Sequence, residues 1–353
     1  MSANPTPVAP QSSVRKTADP RVPGGYRYTI TSEELRWFGE PDKERDSLPC
    51  ALFKEDYRDA RGNSVLVDDD HVLYPWVEVD YSRDDQDRWR RMFAKIEELA
   101  PAHDVGDVVK GFRWIRDLGG ANKIPALHEM NPDIKKASGF ELVPVMGLLS
   151  ADRFFKLLME DKFPVTLSVR RAFEENYTPF PDIFHDLAGH GTMFLNDRFS
   201  RFVRRIGELG WAFRDRKPLQ DMVALLYWYT IEFGLKRETN ASGRQELRVY
   251  GAGIISSAGE TSASVTGAVT PDKGRRGIHR LPFDLKRVLL SHYEYERSQE
   301  LYFVIDDYEQ LTELFDDGHL ARVIAKLDAD LAAGREQKIP QGRLLASDAP
   351  IAI

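Results

Sequence analysis

The sequence contains a single cysteine, Cys50, among its 353 residues. One thiol cannot form an internal disulfide, and it cannot supply the several thiolates of a cysteine-rich zinc or iron–sulfur site. The longest apolar run, 222–231, is far shorter than the roughly 20 residues that a membrane helix requires. The N-terminus also lacks the apolar core of a signal peptide. These absences predict a cytoplasmic protein that does not span a membrane.

Basic residues are not in excess either. The chain has 49 Lys and Arg against 56 Asp and Glu, which gives a formal net charge of −7. It therefore lacks the global positive charge with which many proteins hold nucleic acid, and we expect no such partner. The hydrophobic content of 42% and the charged content of 30% are typical of a soluble globular protein.

Composition divides the chain into four parts. Residues 1–25 are rich in proline, serine and threonine and predict a flexible N-terminal tail. Residues 26–104 are mixed and charged, and we interpret them as an N-terminal extension packed on the core. The main domain is expected over 105–333, followed by a C-terminal tail over 334–353. Too few heptads occur near the C-terminus for an oligomerising coiled coil, which favours a monomer or a dimer.

Apolar periodicity predicts a mainly α fold with short β strands. A helix is expected over Asp84–Leu99, capped by Ser82 or Asp84 and ended by Pro101. The other predicted helices are Val105–Leu118, Ala151–Asp161 capped by Ser150, a buried helix Gln220–Leu235, one or two helices in Leu311–Ala333, and an amphipathic helix whose apolar stripe is formed by Phe199, Phe202, Val203, Ile206 and Leu209. Short strands are expected within Tyr74–Val79, Gly139–Leu149, Val165–Arg170 and Leu301–Val304, and a loop over Tyr250–Glu260.

One segment, PDIFHDLAGH over 181–190, combines two histidines with apolar neighbours. Imidazole is a good ligand for divalent transition metals. Because five residues span about 140° on a regular helix, His185 and His190 could bind one ion only at a helix end or in a distorted turn. We expect Gly189 to ease that bend. Two unrelated core or capping histidines are the alternative.

Glu232 is out of place in the apolar sequence LLYWYTIEFGL. A carboxylate in such surroundings needs a cation, a proton or a metal ion. A buried salt bridge with an arginine is one interpretation. With the two histidines, Glu232 would instead complete the facial triad of a non-haem Fe(II) oxygenase, although a zinc-dependent hydrolase uses the same types of ligand.

Three segments, PDIFHDLAGH, LYWYTIEFGL and YGAGIISSAGE, occur in an order and at separations that resemble the catalytic domain of the pterin-dependent aromatic amino acid hydroxylases. The resemblance also includes GFELVPVMGLLS, FPVTLSVR and HYEYERSQELYFV. It implies a single catalytic iron and pterin domain over 105–333, with Fe(II), a tetrahydropterin and O2 as co-substrate. It further implies that His185, His190 and Glu232 are the metal ligands and the catalytic centre.

The resemblance assigns two further sets of residues. Those expected to bind the amino acid are Arg170, Thr178, Pro181, Trp228, Phe233, Ser256 and Tyr295. Those expected to bind the pterin are Gly147, Leu148, Leu149, Phe154, Asp186 and Tyr227. For Arg170 the chemistry agrees, because a guanidinium binds a carboxylate through two parallel hydrogen bonds.

Departures from the family pattern concern the substrate. Phe180 replaces an acidic residue, Gly191 and Thr192 follow the second histidine, and Tyr295 occupies a position that influences substrate preference in the family. We expect hydroxylation of L-phenylalanine to tyrosine. Tryptophan hydroxylation, or phenylalanine hydroxylation at another ring carbon in a secondary pathway, is the alternative within the family; a zinc-dependent hydrolase or a non-catalytic binding protein are alternatives outside it.

Overall fold

The computed structural model describes residues 15–22, 25–32, 35, 76–145, 149–176, 178, 180–267, 277–294 and 298–351. Within them helices predominate and strands are short, which confirms the predicted fold class. No described helix is both long and apolar enough to cross a membrane. Three of the predicted site residues, Gly147, Leu148 and Tyr295, lie outside the described residues, as do residues 1–14 of the predicted tail.

The helices pack around one apolar core. The α-helices, in chain order, are α1 (Arg83–His103), α2 (Gly106–Asp117), α3 (Leu127–Ser138), α4 (Ala151–Met159), α5 (Asp197–Ala212), α6 (Lys217–Tyr227), α7 (Ala252–Ile255), α8 (Ala258–Thr266), α9 (Leu285–Leu290), α10 (Glu309–Thr312) and α11 (His319–Ala332). Two π-helices, π1 (His185–Gly191) and π2 (Trp228–Glu232), and two 3-10 segments, Ala172–Glu174 and Glu313–Gly318, complete the helical structure that is described.

The described strands form three small sheets. Their bounds are β1 (Arg15–Ala18), β2 (Tyr26–Thr31), β3 (Val77–Asp80), β4 (Glu141–Val145), β5 (Lys162–Thr166), β6 (Gly234–Thr239), β7 (Gln245–Val249), β8 (His279–Pro282) and β9 (Leu301–Ile305). The sheet orders are β1-β2-β3, β4-β5 and β7-β6-β9-β8. Strands β4 and β5 pair in parallel, and β6 follows directly after π2, so the chain passes from π2 into the third sheet.

Local signals in the sequence located several helix starts correctly. The Ser82 hydroxyl accepts a hydrogen bond from the Asp85 amide, and the Ser150 hydroxyl accepts one from the Arg153 amide. These bonds satisfy amides that have no partner within their helices. Pro101, however, does not end α1. The helix continues to His103, and the Asp104 amide still donates to the Ala100 carbonyl at 2.9 Å.

Three other predictions need correction. Part of the predicted flexible tail forms β1, which pairs with β2 in an antiparallel ladder. The predicted helix Gln220–Leu235 is divided into α6, π2 and the start of β6, because its sequence is apolar nearly throughout and gives no periodic signal for a break. The predicted loop Tyr250–Glu260 contains α7 and the start of α8. Its glycines and serines have low helix propensity, but tertiary packing outweighs that preference.

Candidate active site

Two histidines and one glutamate converge in the core. The π-helix π1 places residues five apart on the same face, because its hydrogen bonds run from residue i to residue i+5. His190 Nε2 lies 3.2 Å from His185 Nε2 and 2.9 Å from Glu232 Oε1. His185 Nε2 lies 3.5 Å from Glu232 Oε2. The distorted turn predicted from the histidine spacing is therefore confirmed, and π2 supplies the third side chain of the cluster.

Gly189 has a different role from the one we expected. A Cβ atom at this position would lie 2.8 Å from the Ala252 carbonyl oxygen and 3.1 Å from the Ala252 Cβ. The glycine thus permits α7 to approach π1 closely. The bend itself comes from the π-helical hydrogen bonding, and the prediction that Gly189 eases it is corrected to a packing requirement.

The protonation states of the cluster suit a metal ion. Burial is the main cause that lowers the pKa of His185 to about 4, although the Glu232 charge opposes it. Burial would raise the pKa of Glu232, but the two neighbouring histidines outweigh it and lower the pKa to about 2. At neutral pH the cluster therefore offers a neutral imidazole and a carboxylate, which are the forms that ligate divalent metals.

Ser256 connects this cluster to Arg170. Its hydroxyl lies 3.0 Å from His185 Nδ1, which leaves Nε2 of that ring directed at the other two ligand groups. Its carbonyl oxygen accepts a hydrogen bond from Arg170 Nη1 at 3.0 Å. Sequence reasoning assigned Ser256 only to the amino acid. Its hydrogen bond to His185 is the kind of contact that orients a metal-ligating imidazole.

Arg170 has a buried counter-ion that sequence reasoning missed. The Asp182 carboxylate accepts hydrogen bonds from Arg170 Nε at 3.0 Å, from Nη2 at 2.7 Å and from the Arg170 amide at 2.8 Å. The side chain of Arg170 is only 1% exposed. A buried guanidinium requires such a partner, and the acid three residues before His185 was the available signal. Thr178 lies in the same cavity wall, where its hydroxyl donates to the Phe180 carbonyl.

Aromatic side chains form much of the remaining wall. Pro181, Trp228 and Phe233, all predicted to contact the substrate ring, line the cavity. Tyr293 lines it as well and was missed: its ring stacks on Trp228 with centroids 4.6 Å apart and an interplanar angle of 12°. Phe180 stands at the cavity and is 55% exposed.

The described residues of the predicted pterin set line the same cavity, which has a volume of about 310 Å³. They are Leu149, Phe154, Asp186 and Tyr227. The rings of Phe154 and Tyr227 meet edge to face with centroids 5.1 Å apart. The Asp186 carboxylate accepts a hydrogen bond from the Thr166 amide at 2.6 Å, yet burial raises its pKa well above the usual range. Burial also raises the pKa of Tyr227.

A family model provides the decisive comparison for this chain. The model of the biopterin-dependent aromatic amino acid hydroxylases matches residues 53–323. The chain belongs to this family. Among its relatives, the phenylalanine-4-hydroxylase of Ralstonia nicotianae is 34% identical over 232 residues, which are 65% of this chain and 69% of that protein.

Solved structures of a bacterial hydroxylase from the same family are also similar to this chain. The iron- and phenylalanine-bound crystal structure of phenylalanine hydroxylase from Chromobacterium violaceum matches with a TM-score of 0.66 and 29% identity, over 80% of this chain and 95% of that chain. A structure of the same enzyme with iron(III) and 7,8-dihydrobiopterin matches with a TM-score of 0.63 and 30% identity, over 77% and 90%. These hydroxylases give no support to the alternative of a zinc-dependent hydrolase.

Proposed function

We propose that this enzyme is a pterin-dependent, non-haem iron monooxygenase that hydroxylates the ring of L-phenylalanine to give tyrosine. The observation that carries the proposal is the position of the His185, His190 and Glu232 cluster in one cavity with Arg170 and with the aromatic wall. The chemistry requires these groups in one place, since the reacting ring carbon has to be held beside the metal while water is kept away.

The donor set fits Fe(II). Two imidazole Nε2 atoms and a carboxylate would bind the iron and leave further coordination positions open, as in other facial-triad oxygenases. When bound, the iron and a reduced tetrahydropterin together supply the reduction of O2, and one oxygen atom is delivered to the aromatic ring. The protein contributes ligand geometry, substrate orientation and a dry cavity.

Arg170 would bind the carboxylate of the amino acid. A guanidinium has five N–H donors, and Asp182 and the Ser256 carbonyl accept three hydrogen bonds from it. Two N–H donors of Arg170 are left for a substrate carboxylate, and Asp182 fixes the plane of the guanidinium group that carries them. Thr178 and Ser256 would contribute hydroxyl groups beside it. Pro181, Trp228 and Phe233 would then hold the aromatic ring, with Tyr295 as a further predicted contact.

The pterin would occupy the part of the cavity formed by Leu149 and Phe154, with the predicted contacts of Gly147 and Leu148. Aromatic rings favour offset or edge contacts with other π systems, so Phe154 can hold a flat heterocycle. The Asp186 side chain, which the Thr166 amide holds at 2.6 Å, would make a polar contact with the heterocycle. The Tyr227 hydroxyl would complete the polar contacts.

The test is anaerobic loading with Fe(II), followed by product analysis with O2, tetrahydropterin and a panel of phenylalanine, tryptophan and tyrosine. We expect tyrosine from phenylalanine, with one pterin oxidised per product. Glu232→Gln should lose both iron binding and turnover, whereas Glu313→Gln, at an exposed position outside the cavity, should change neither. A hydroxytryptophan product, or phenylalanine hydroxylated at another carbon, would overturn the substrate assignment.

Pterin oxidation that does not depend on any amino acid would contradict the monooxygenase function itself. Metal analysis that finds bound zinc, together with no hydroxylation after loading with Fe(II), would instead favour a hydrolase. The cytoplasmic location and the monomeric or dimeric state stay predictions from the sequence.

A further inference from the structure

The C-terminal segment 336–351 is hydrogen-bonded to the rest of the domain. The Ile339 amide donates to the Leu290 carbonyl at 2.8 Å, and the His292 amide donates to the Ile339 carbonyl at 2.7 Å. Ser291 and Ile339 form a parallel bridge. The segment is therefore hydrogen-bonded to the backbone where α9 ends and the chain enters the stretch that carries Tyr293.

A second attachment lies at the far side of that stretch. The side-chain nitrogen of Gln341, Nε2, donates to Gln299 Oε1, and Gln299 Nε2 donates to the Glu294 carbonyl at 2.8 Å. Gln299 is fully buried. Gly342 adopts a φ of +70°, and a Cβ there would clash with the Glu300 side chain. The segment thus reaches both described ends of the stretch, at 291–294 and at 298–300.

Buried contacts hold the segment in place. Arg287 Nε lies 3.2 Å from the Asp348 carboxylate, and Nη2 donates to the Arg343 carbonyl at 2.6 Å. The Ile351 amide donates to the Arg280 carbonyl at 2.7 Å. A buried ion pair with additional hydrogen bonds fixes the geometry of its partners. This makes the segment a defined part of the catalytic domain.

Tyr293, which follows the hydrogen-bonded His292 in the chain, is part of the active-site wall. Both backbone polar groups of His292 form hydrogen bonds: its amide donates to the Ile339 carbonyl, and its carbonyl accepts from the Tyr229 hydroxyl at 2.7 Å. Tyr229 belongs to π2, the helix that carries Glu232. Tyr293 is the next residue in the chain, and its ring stacks on that of Trp228. The centroid of the Tyr293 ring also lies 5.6 Å from the centroid of the Phe233 ring.

We propose that the segment 336–351 is a positioning element for the amino-acid side of the cavity, and that Gln341 and Gly342 act by holding Tyr293 against Trp228. The role rests on the proposed function, because it assigns Tyr293 to the wall that receives the substrate ring. Displacement of the segment frees the His292 amide, and the Tyr293 ring then loses its fixed position.

Two variants displace the segment by different means. Gln341→Leu keeps the approximate size of the side chain and removes the amide that binds Gln299. Gly342→Ala introduces a Cβ at a positive φ and against Glu300. Gln337→Leu is the matched control, since it is the same substitution in the same segment at an exposed residue.

The readouts separate positioning from general stability. We expect Gln341→Leu and Gly342→Ala to raise the KM for phenylalanine, and its Kd by calorimetry, by about tenfold. Bound iron and the KM for pterin should stay at wild-type values. Hydrogen–deuterium exchange at the His292 amide should accelerate in both variants, and Gln337→Leu should match the wild type in every measurement.

Phenylalanine affinity within twofold of wild type in both variants, with accelerated exchange at His292, would overturn the proposal. So would unchanged exchange at His292. A lower melting temperature with unaltered affinity of the folded enzyme would indicate a structural role only. If the wild type hydroxylates no aromatic amino acid, the proposed function fails, but the exchange measurement still tests whether the segment 336–351 holds His292, because that measurement needs no turnover.

Discussion

Asp182 determines the geometry of Arg170, the residue proposed to bind the amino-acid carboxylate. Its two oxygens accept hydrogen bonds from Arg170 Nε and Nη2, and one of them also accepts from the Arg170 amide. The other binds the His185 amide at 2.9 Å. One buried carboxylate therefore fixes the substrate-binding arginine and the first residue of π1, so the metal cluster and the amino-acid site share a support.

We predict that Asp182→Asn lowers the free energy of unfolding at pH 7 by about 3 kcal/mol or more, because a buried guanidinium would lose its counter-ion. Burial favours the protonated form of Asp182, but the Arg170 charge and the hydrogen bonds from Arg170 and His185 hold its pKa below the usual value. The stabilisation is therefore complete above the unfolded-state pKa of about 4. It is lost as the pH falls through the lower folded-state pKa.

Urea unfolding of both proteins between pH 7 and pH 3 measures this effect. The difference between wild type and Asp182→Asn should shrink toward the acid end of the range. Asp84→Asn is the control, since the Asp84 side chain is 74% exposed in its ion pair with Arg88, and exposed pairs contribute only about 0 to 1 kcal/mol. Equal losses in the two variants would show that the pair with Arg170 does not stabilise the fold.

At the level of secondary structure, π1 explains how two histidines five residues apart lie on the same face. An α-helix places residues four apart on one face, whereas the i to i+5 hydrogen bonds of a π-helix place residues five apart there. The neighbouring helix α7 holds Ala252 against Gly189 and is followed directly by Ser256, whose hydroxyl contacts His185. The separation of π1 and α7 therefore affects the orientation of a proposed iron ligand.

We predict that Gly189→Ala lowers stability by about 1 to 3 kcal/mol and weakens iron binding. The added Cβ would lie 2.8 Å from the Ala252 carbonyl oxygen, so α7 must move away and the contact of Ser256 with His185 is disturbed. Iron titration under anaerobic conditions and thermal unfolding measure the two effects.

Gly191→Ala is a matched control in the same π-helix. Its Cβ would lie 3.4 Å from the flexible end of the Met130 side chain and 3.6 Å from the Asp186 carbonyl oxygen, which are ordinary contact distances, and we expect wild-type iron affinity. If both alanine variants bind iron like the wild type, the close approach of α7 is not needed for the metal site.

The sequence predicted those elements whose signals are local. Ser82 and Ser150 cap helices as expected, since a hydroxyl that binds a nearby amide needs no distant partner. Helix α8, by contrast, begins in a segment of low helix propensity, and Thr261 secures it through hydrogen bonds to Ile254 and Ser257 carbonyls. The partner of Arg170 and the stack of Tyr293 on Trp228 likewise depend on contacts that become visible only in the folded chain.

Across the whole molecule, both ends of the described chain fold back on the catalytic domain. The C-terminal segment reaches Arg280, and the N-terminal sheet contacts α3 through Glu78 of β3. Glu78 lies 2.5 Å from Arg27 Nη1 and is hydrogen-bonded to His128 of α3. Composition alone suggested a tail over 334–353, because the contacts that bind this segment, such as that of Ile351 with Arg280, join residues far apart in the sequence.

We predict that Glu78→Gln loosens the N-terminal sheet without affecting the metal cluster. Burial raises the pKa of Glu78, but the hydrogen bonds from His128 and Arg27 outweigh it and lower the pKa below its usual value. The carboxylate thus stabilises the docked sheet above the unfolded-state pKa, and the stabilisation is lost as the pH falls through the folded-state pKa. Faster hydrogen–deuterium exchange over Tyr26–Thr31 and Val77–Asp80 at pH 7, with unchanged iron content, is the expected result.

Asp80→Asn gives a control on the same strand. Asp80 pairs with Arg15 at 2.7 Å, but both side chains are more than half exposed, so solvent screens the pair and little stability depends on it. Exchange in this variant should match the wild type, because β3 keeps its buried contact with α3. If Glu78→Gln exchanges no faster than Asp80→Asn, or if it loses iron along with the sheet, the contact through His128 is not an independent attachment of the N-terminal sheet to the catalytic domain.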